Sequence, residues 1–362
     1  MGPGPSDVSP RVLAAMGRAT LGHLDPDFTA LMDEIKQLLG YAFQTENALT
    51  FAVSAPGSAG METAFVNLVE PGDTVLVCIN GVFGSRMKEN VERIGGTAIV
   101  VEDEWGEPVD PHKVEEALRQ HPEIKIVAFV HAETSTGVCS DAATLCRLAH
   151  EFDCLTLVDA VTSLGGVPVL VDEWGIDAIY SGSQKCLSAP PGISPVSFSP
   201  RAVAAISSRK TKVQSWFLDL NLVMGYWDGD GGRTYHHTAP VNAMYGLHEA
   251  LVMLNEEGLE AAWERHRHHH GALREGLSGL GIDFLVDEPF RLPQLNSVHI
   301  PAAVQSEEAA IRRDLLAQHE LEIGAGLGAL AGRVWRIGLM GHSANDGNVR
   351  KCLGALEDVL GK

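Results

Sequence analysis

The stretch CLTLVD at residues 154–159, an apolar run that ends in an aspartate, decides the fold. Aliphatic and β-branched residues without polar alternation read as a strand covered on both faces, the kind found in parallel sheets. The runs VLVCI at 75–79 and KIVAFV at 125–130 repeat the pattern. Between them, Val114 and Leu118 fall at helical spacing, and the Asp141–Phe152 segment is amphipathic, with Ser140 or Asp141 placed to cap it. Turns are marked by Glu70-Pro71-Gly72-Asp73 and by Ala189-Pro190-Pro191-Gly192. This alternation, from about residue 48 to residue 200, predicts an α/β domain built around a mainly parallel sheet.

A chain of 362 residues is too long for one small core, so a large domain over 1–255 and a small α+β C-terminal domain over 256–362 are expected. Near residue 250 the texture changes to AMYGLHEALVMLNEEGLEAAWERHRHHHGALREGL, read as one long helical stretch bridging the two. Its run His266-Arg267-His268-His269-His270 is read as a solvated helix face, because consecutive helical residues point apart, and no metal site is expected. The formal net charge of −20 argues against nucleic-acid and anionic-membrane partners and leaves small molecules and copies of the chain itself. Six cysteines with neither a CxxC pair nor zinc spacing fit a reducing cytoplasm. No apolar run approaches a membrane span, and MGPGPSDVSP lacks the basic and apolar regions of a signal peptide.

The chemistry-bearing pair is Asp159, at the end of its strand, and Lys185, in SGSQKCLSAPPG. Ligands of open α/β sheets bind outside the carboxyl ends of the strands, so both side chains can reach one crevice. A buried aspartate needs a cationic or hydrogen-bonding partner, and a pyridinium nitrogen is one. A lysine amine can condense with an aldehyde. Taken alone, the pair also fits a helix-capping aspartate and a surface lysine. Context shifts the reading: Ser181, Gly182 and Ser183 allow close backbone approach, Gln184 offers an amide to a phosphate, and the turn Ser54–Gly60 precedes a helix whose N-terminus attracts an anion.

The segments GPGPS at 2–6, SGSQK at 181–185, APPG at 189–192, SRKTK at 208–212, YHHT at 235–238 and RIGLMG at 336–341 resemble the alanine–glyoxylate aminotransferase family of the class V aminotransferases, in family order along essentially the whole chain. The resemblance implies an aspartate-aminotransferase-like (fold type I) large domain and a pyridoxal 5'-phosphate cofactor. It implies that Lys185 carries the coenzyme and that Asp159 faces its pyridine nitrogen. Gly57, Ser58, Ala59 and Gln184 would hold the phosphate. Phe83 falls where the family usually stacks a tryptophan, Val161 lies beneath the other ring face, and Thr134 approaches the ring substituents. Ser58 stands where the animal enzymes have histidine. Tyr235 and Thr238 resemble residues that reach the phosphate from a neighbouring subunit, which implies a homodimer with shared active sites. Arg336 resembles the arginine that grips the substrate α-carboxylate, a task suited to its planar fork of donors. The implied reaction moves an amino group from alanine or serine to glyoxylate or pyruvate, with Lys185 as base and acid at the substrate Cα. Relatives of the same fold that use 2-aminoethylphosphonate, pyridoxamine or aspartate are the alternatives. A nucleotide-binding domain fits less well, since no GxGxxG follows the first strand. The chain starts almost at GPGP, so less of an N-terminal arm is expected to wrap a partner than in many relatives.

Overall fold

The computed structural model describes residues 1–227 and 233–361. Helix α1 (Pro26–Phe43) precedes the first strand of the large sheet, β1 (Leu49–Val53). There follow α2 (Gly57–Leu68), β2 (Thr74–Ile79), α3 (Val82–Ile94), β3 (Thr97–Glu102), β4 (Ile124–Val130), α4 (Ala142–Glu151), β5 (Leu155–Asp159), β6 (Ala178–Tyr180) and β7 (Ser194–Phe198). The strands lie in the order β1-β7-β6-β5-β4-β2-β3. From β3 to β6 every pairing is parallel, and β7 runs antiparallel to both β6 and β1. The expected strands at 75–79, 125–130 and 154–159 are present with ends shifted by one residue at most. Val75, Leu76, Val77 and Cys78 are all fully buried, as a strand covered on both faces requires. Helix α4 starts where its aspartate predicts: the Asp141 side chain accepts from the Thr144 N–H.

The C-terminal part has its own core, in which Leu273, Val298, Leu315, Trp335, Ile337 and Leu356 are buried together. Its sheet places β10 (Val334–Gly338) between β8 (Leu295–His299) and β9 (Gly324–Ala325), all antiparallel, and the chain closes with a helix, α7 (Asp346–Val359). The stretch expected as one long helix is two: α5 (Val241–Glu257) and α6 (Leu259–Gly279). Gly258, at φ +86°, lies in the left-handed region that glycine enters without a Cβ penalty, and it breaks the helix there. The histidine run is not a uniformly solvated face either. His266 is fully buried and His269 nearly so, because both fall on the stripe shared with Ala262, Leu273 and Leu277. No helix among the described residues is long and apolar enough to cross a membrane.

Candidate active site

Strand β5 delivers Asp159 at its carboxyl end, in register with Tyr180 of β6 and Val130 of β4. Its carboxylate is almost fully buried; Oδ1 accepts from the Val161 N–H at 2.8 Å and Oδ2 from the Tyr180 hydroxyl at 2.8 Å. Burial pushes the Asp159 carboxyl up to about 7, against the opposing pull of those two donors. Lys185 lies in the loop between β6 and β7 and is also buried; its amine is brought down to about 8, chiefly by burial, with the Arg336 guanidinium adding to the effect. Asp159 and Lys185 influence each other electrostatically, yet no ion pair joins them among the described residues. Lys185 feels both the Asp159 carboxyl and the Arg336 guanidinium, so the three groups share one buried neighbourhood.

The N-terminal segment packs directly against Lys185. The Lys185 amine donates to the Pro3 carbonyl, Ser6 Oγ donates to the Lys185 carbonyl at 2.8 Å, and the Ser6 N–H binds the Gln184 carbonyl at 2.8 Å. Gly4, at φ +104°, lies so close that a Cβ there would sit 2.7 Å from Lys185 Nζ. The same segment reaches the small sheet, where the Met1 carbonyl accepts from the Gly338 N–H at 2.8 Å.

Beside this contact, β10 carries Arg336, whose Nε donates to the Ala325 carbonyl at 2.8 Å and Nη1 to the Thr134 carbonyl at 3.1 Å. These bonds fix the plane of the guanidinium and leave Nη2 uncommitted. Among the described residues no carboxylate lies within ion-pair distance of this buried cation, so a carboxylate ligand would meet an unspent charge.

At the phosphate end, helix α2 begins with no side-chain cap, so its first N–H groups and dipole face outward from the turn. Gly57 abuts this corner: a Cβ on it would lie 3.5 Å from the Ser181 carbonyl and from Val161 Cγ2, and 3.6 Å from the Gly182 Cα. Ser58 and Ala59 complete the first turn, but the Ala59 N–H is already given to the Pro56 carbonyl at 2.7 Å, so of the expected phosphate donors only those of Gly57 and Ser58 stay free among the described residues. The Gln184 side chain folds over Gly182, and its Oε1 is buried without a hydrogen-bond partner. Such an orphaned amide beside an uncapped helix end suits a phosphate, which the amide NH2 can meet after a half-turn about its last bond. Thr134 hydrogen-bonds Thr162, next to Val161. Phe83 starts α3, half-buried, with the Arg86 guanidinium 4.8 Å from its ring centre.

Two expected residues are not brought in. Tyr235 is 65% exposed, and Thr238 is exposed as well. Between them, His237 Nε2 lies 2.7 Å from Ser54 Oγ in the turn before α2, so the segment borders the phosphate end without filling it.

The sequence reading missed Glu133. It is fully buried, with Oε1 accepting from the N–H and hydroxyl of Ser135 and Oε2 from the Phe83 N–H at 3.1 Å. It thereby caps α3 from another strand and fixes where Phe83 stands; Gly81 makes room, since a Cβ there would lie 2.4 Å from the Glu133 carboxyl carbon. Tyr180 was also missed. A donor directly across from Asp159 could have been anticipated only with the strand register in hand.

A family model described as aminotransferase class V matches residues 7–330. The alanine–glyoxylate aminotransferase of Oryctolagus cuniculus is 44% identical over 362 residues, covering 99% of this chain and 92% of that protein. The (S)-ureidoglycine–glyoxylate transaminase of Bacillus subtilis (strain 168) is 38% identical, covering 99% of this chain and 90% of that protein. The solved structure of an alanine–glyoxylate aminotransferase from Nostoc sp. aligns with a TM-score of 0.96 at 47% identity, covering 99% of this chain and 94% of that one.

Proposed function

The chain belongs to the class V aminotransferases, and from that membership we propose that it moves an amino group from a small amino acid, alanine or serine, to glyoxylate or pyruvate, using pyridoxal 5'-phosphate held at Lys185. The observation that carries the reading is the shared neighbourhood of Lys185, Asp159 and Arg336: a depressed amine, a raised carboxyl and a buried cation that makes no ion pair among the described residues. Pyridoxal phosphate, when bound, supplies an electrophilic aldehyde and a ring that accepts electrons from the substrate Cα.

The protein's own groups do the rest. The free N–H groups of Gly57 and Ser58, with the Gln184 amide, bind the phosphate, and Ala59 closes the turn behind them. Asp159 holds a proton on the pyridine nitrogen, and the Tyr180 and Val161 donors keep its carboxylate aimed. Val161 and Phe83 bound the ring faces, and Thr134 meets its substituents. Arg336 orients the substrate through its carboxylate. Lys185 Nζ, with its proton affinity lowered by burial, takes the proton from the substrate Cα and returns one. The Pro3–Gly4 segment covers the lysine and keeps water from it.

The reading includes a homodimer in which Tyr235 and Thr238 of one subunit reach the phosphate of the other. In support, Tyr235 and Trp216 are 65% and 64% exposed, and Trp216 stacks on His236 at 4.5 Å, an apolar surface suited to a second copy of the chain. A cytoplasmic location fits six cysteines without disulfides.

Lys185→Ala is expected to lose both the bound chromophore and transamination, whereas wild-type turnover in that variant overturns the assignment. A donor panel of alanine, serine, aspartate, 2-aminoethylphosphonate, pyridoxamine and (S)-ureidoglycine, each with glyoxylate and pyruvate, tests the substrates. The highest kcat/KM is expected for alanine with glyoxylate; a preference for any of the last four donors replaces that pair.

A further inference from the structure

The histidine run on α6 has no part in the reaction. Two of its members are committed elsewhere. His266 contacts the Ala262 carbonyl through Nδ1 at 2.6 Å and accepts the Gly341 N–H at Nε2 at 2.9 Å. His270 Nδ1 lies 2.7 Å from Asn296 Oδ1. The two between them turn toward the start of α7. We propose that His268, His269 and Asp346 form a binding site for a divalent transition-metal ion of the zinc class, tying α6 to α7.

Consecutive helical residues diverge by about 100° at the backbone, but here the reach of the side chains closes the gap. The rings of His268 and His269 meet edge to face with centroids 5.0 Å apart. One ring nitrogen of each and one carboxylate oxygen of Asp346 all lie within 4.8 Å of one another. His269 Nδ1 is 3.3 Å from Asp346 Oδ1, about the edge of a tetrahedron whose metal–ligand bonds are roughly 2.0–2.1 Å. That edge is preformed. The same nitrogen is shut off from solvent and, apart from that contact with Asp346, has no hydrogen-bond partner among the described residues; the residue is only 9% exposed. His268 and Asp346 are exposed, so the third ligand closes by side-chain rotation and the fourth position stays open to water. Two imidazoles and a carboxylate select zinc, nickel or copper over magnesium or calcium. The neighbouring Arg265 cation is held by Glu257 and by the Gly341 and Ala344 carbonyls, which keeps it directed away from the incoming ion.

The test uses tag-free, EDTA-dialysed full-length protein titrated with ZnCl2 by calorimetry, with Co2+ absorption as a second readout of coordination. The wild type is expected to bind one zinc per chain, to melt higher with zinc, and to give the intense visible bands of four-coordinate cobalt. His269→Ala and Asp346→Asn should each weaken binding by about 100-fold or more, since even outer partners of a metal ligand account for roughly 10–100-fold. Asp358→Asn is the control, because the half-buried His319 and the exposed Asp358 form a similar pair, 3.1 Å apart, without a third ligand among the described residues. Asp346→Asn is conservative at an exposed position, so a folding failure of His269→Ala does not leave the question open. Zinc binding that survives both substitutions, that falls equally in Asp358→Asn, or that is absent in the wild type overturns the site.

Discussion

Two aspartates of the large sheet are equally buried, at 2% exposure each, and they differ in everything else. Asp177 enters β6 at the amino end of the sheet and is saturated: His150 Nε2 at 3.0 Å, the Thr156 N–H at 3.0 Å, Ser199 Oγ at 2.8 Å and the Arg201 guanidinium at 3.1 Å surround it. Asp159 leaves β5 at the carboxyl end with two donors and no cation in contact, and its carboxyl is pushed up to about 7. A buried carboxylate that is fully paired anchors a fold; one that is underpaired awaits a positive partner. The arginines follow suit. Arg201 is engaged by Asp177 and Asp153, whereas Arg336 makes no ion pair among the described residues and feels only the more distant Glu133 carboxyl.

The largest effect expected from this contrast is on turnover. Asp159→Asn should lower kcat/KM by about 1,000-fold while the protein stays folded. Asp177→Ala should do the reverse, leaving turnover per folded molecule intact while destabilising the chain by about 2–4 kcal/mol, measured by denaturant unfolding. If the two variants behave alike, the distinction fails. Next in size, Arg336→Ala should reduce kcat/KM by about 100-fold for both the amino and the oxo acid, mainly through KM, and Arg201→Ala should not.

The smallest effect concerns pH. In cofactor-free protein, the native Asp159 carboxyl keeps its proton up to about pH 7, while the unfolded chain releases it near the ordinary carboxylate value of about 4. The native state binds more protons across that window, so stability falls as pH rises through it. Burial holds His131, His237 and His266 down to about 4, which raises stability with pH over the same window, so the readout is a difference: from about pH 4 to pH 7 the melting temperature should rise more, or fall less, in Asp159→Asn than in the wild type. Equal slopes would mean that the buried carboxyl is paired after all.

The contrast also explains what the sequence could reveal. CLTLVD is legible because a continuously apolar strand ending in a charged residue places that residue at the rim where ligands bind. GIDAIY is likewise a mostly apolar run with one aspartate, but Asp177 stands before its strand rather than at its end, and only strand direction separates the two. Glu133 was hidden because nothing in HAETSTG marks which polar residue turns inward; its burial follows from the close approach of Gly81. The break at Gly258 was hidden because one glycine within a strongly helical pattern is usually tolerated. The inward histidines could have been found: Leu259, Ala262, His266, His269, Leu273 and Leu277 keep helical spacing, and the stripe continues through the two polar members.

The central claim is that Lys185 and Asp159 share one buried neighbourhood built for an aldehyde-bearing cofactor. Borohydride reduction of protein loaded with pyridoxal phosphate, followed by digestion and mass mapping, tests it most directly. A single phosphopyridoxyl group on the peptide containing Lys185 is the predicted result. Labelling spread over surface lysines, or a quantitative label at any other lysine, would contradict the account.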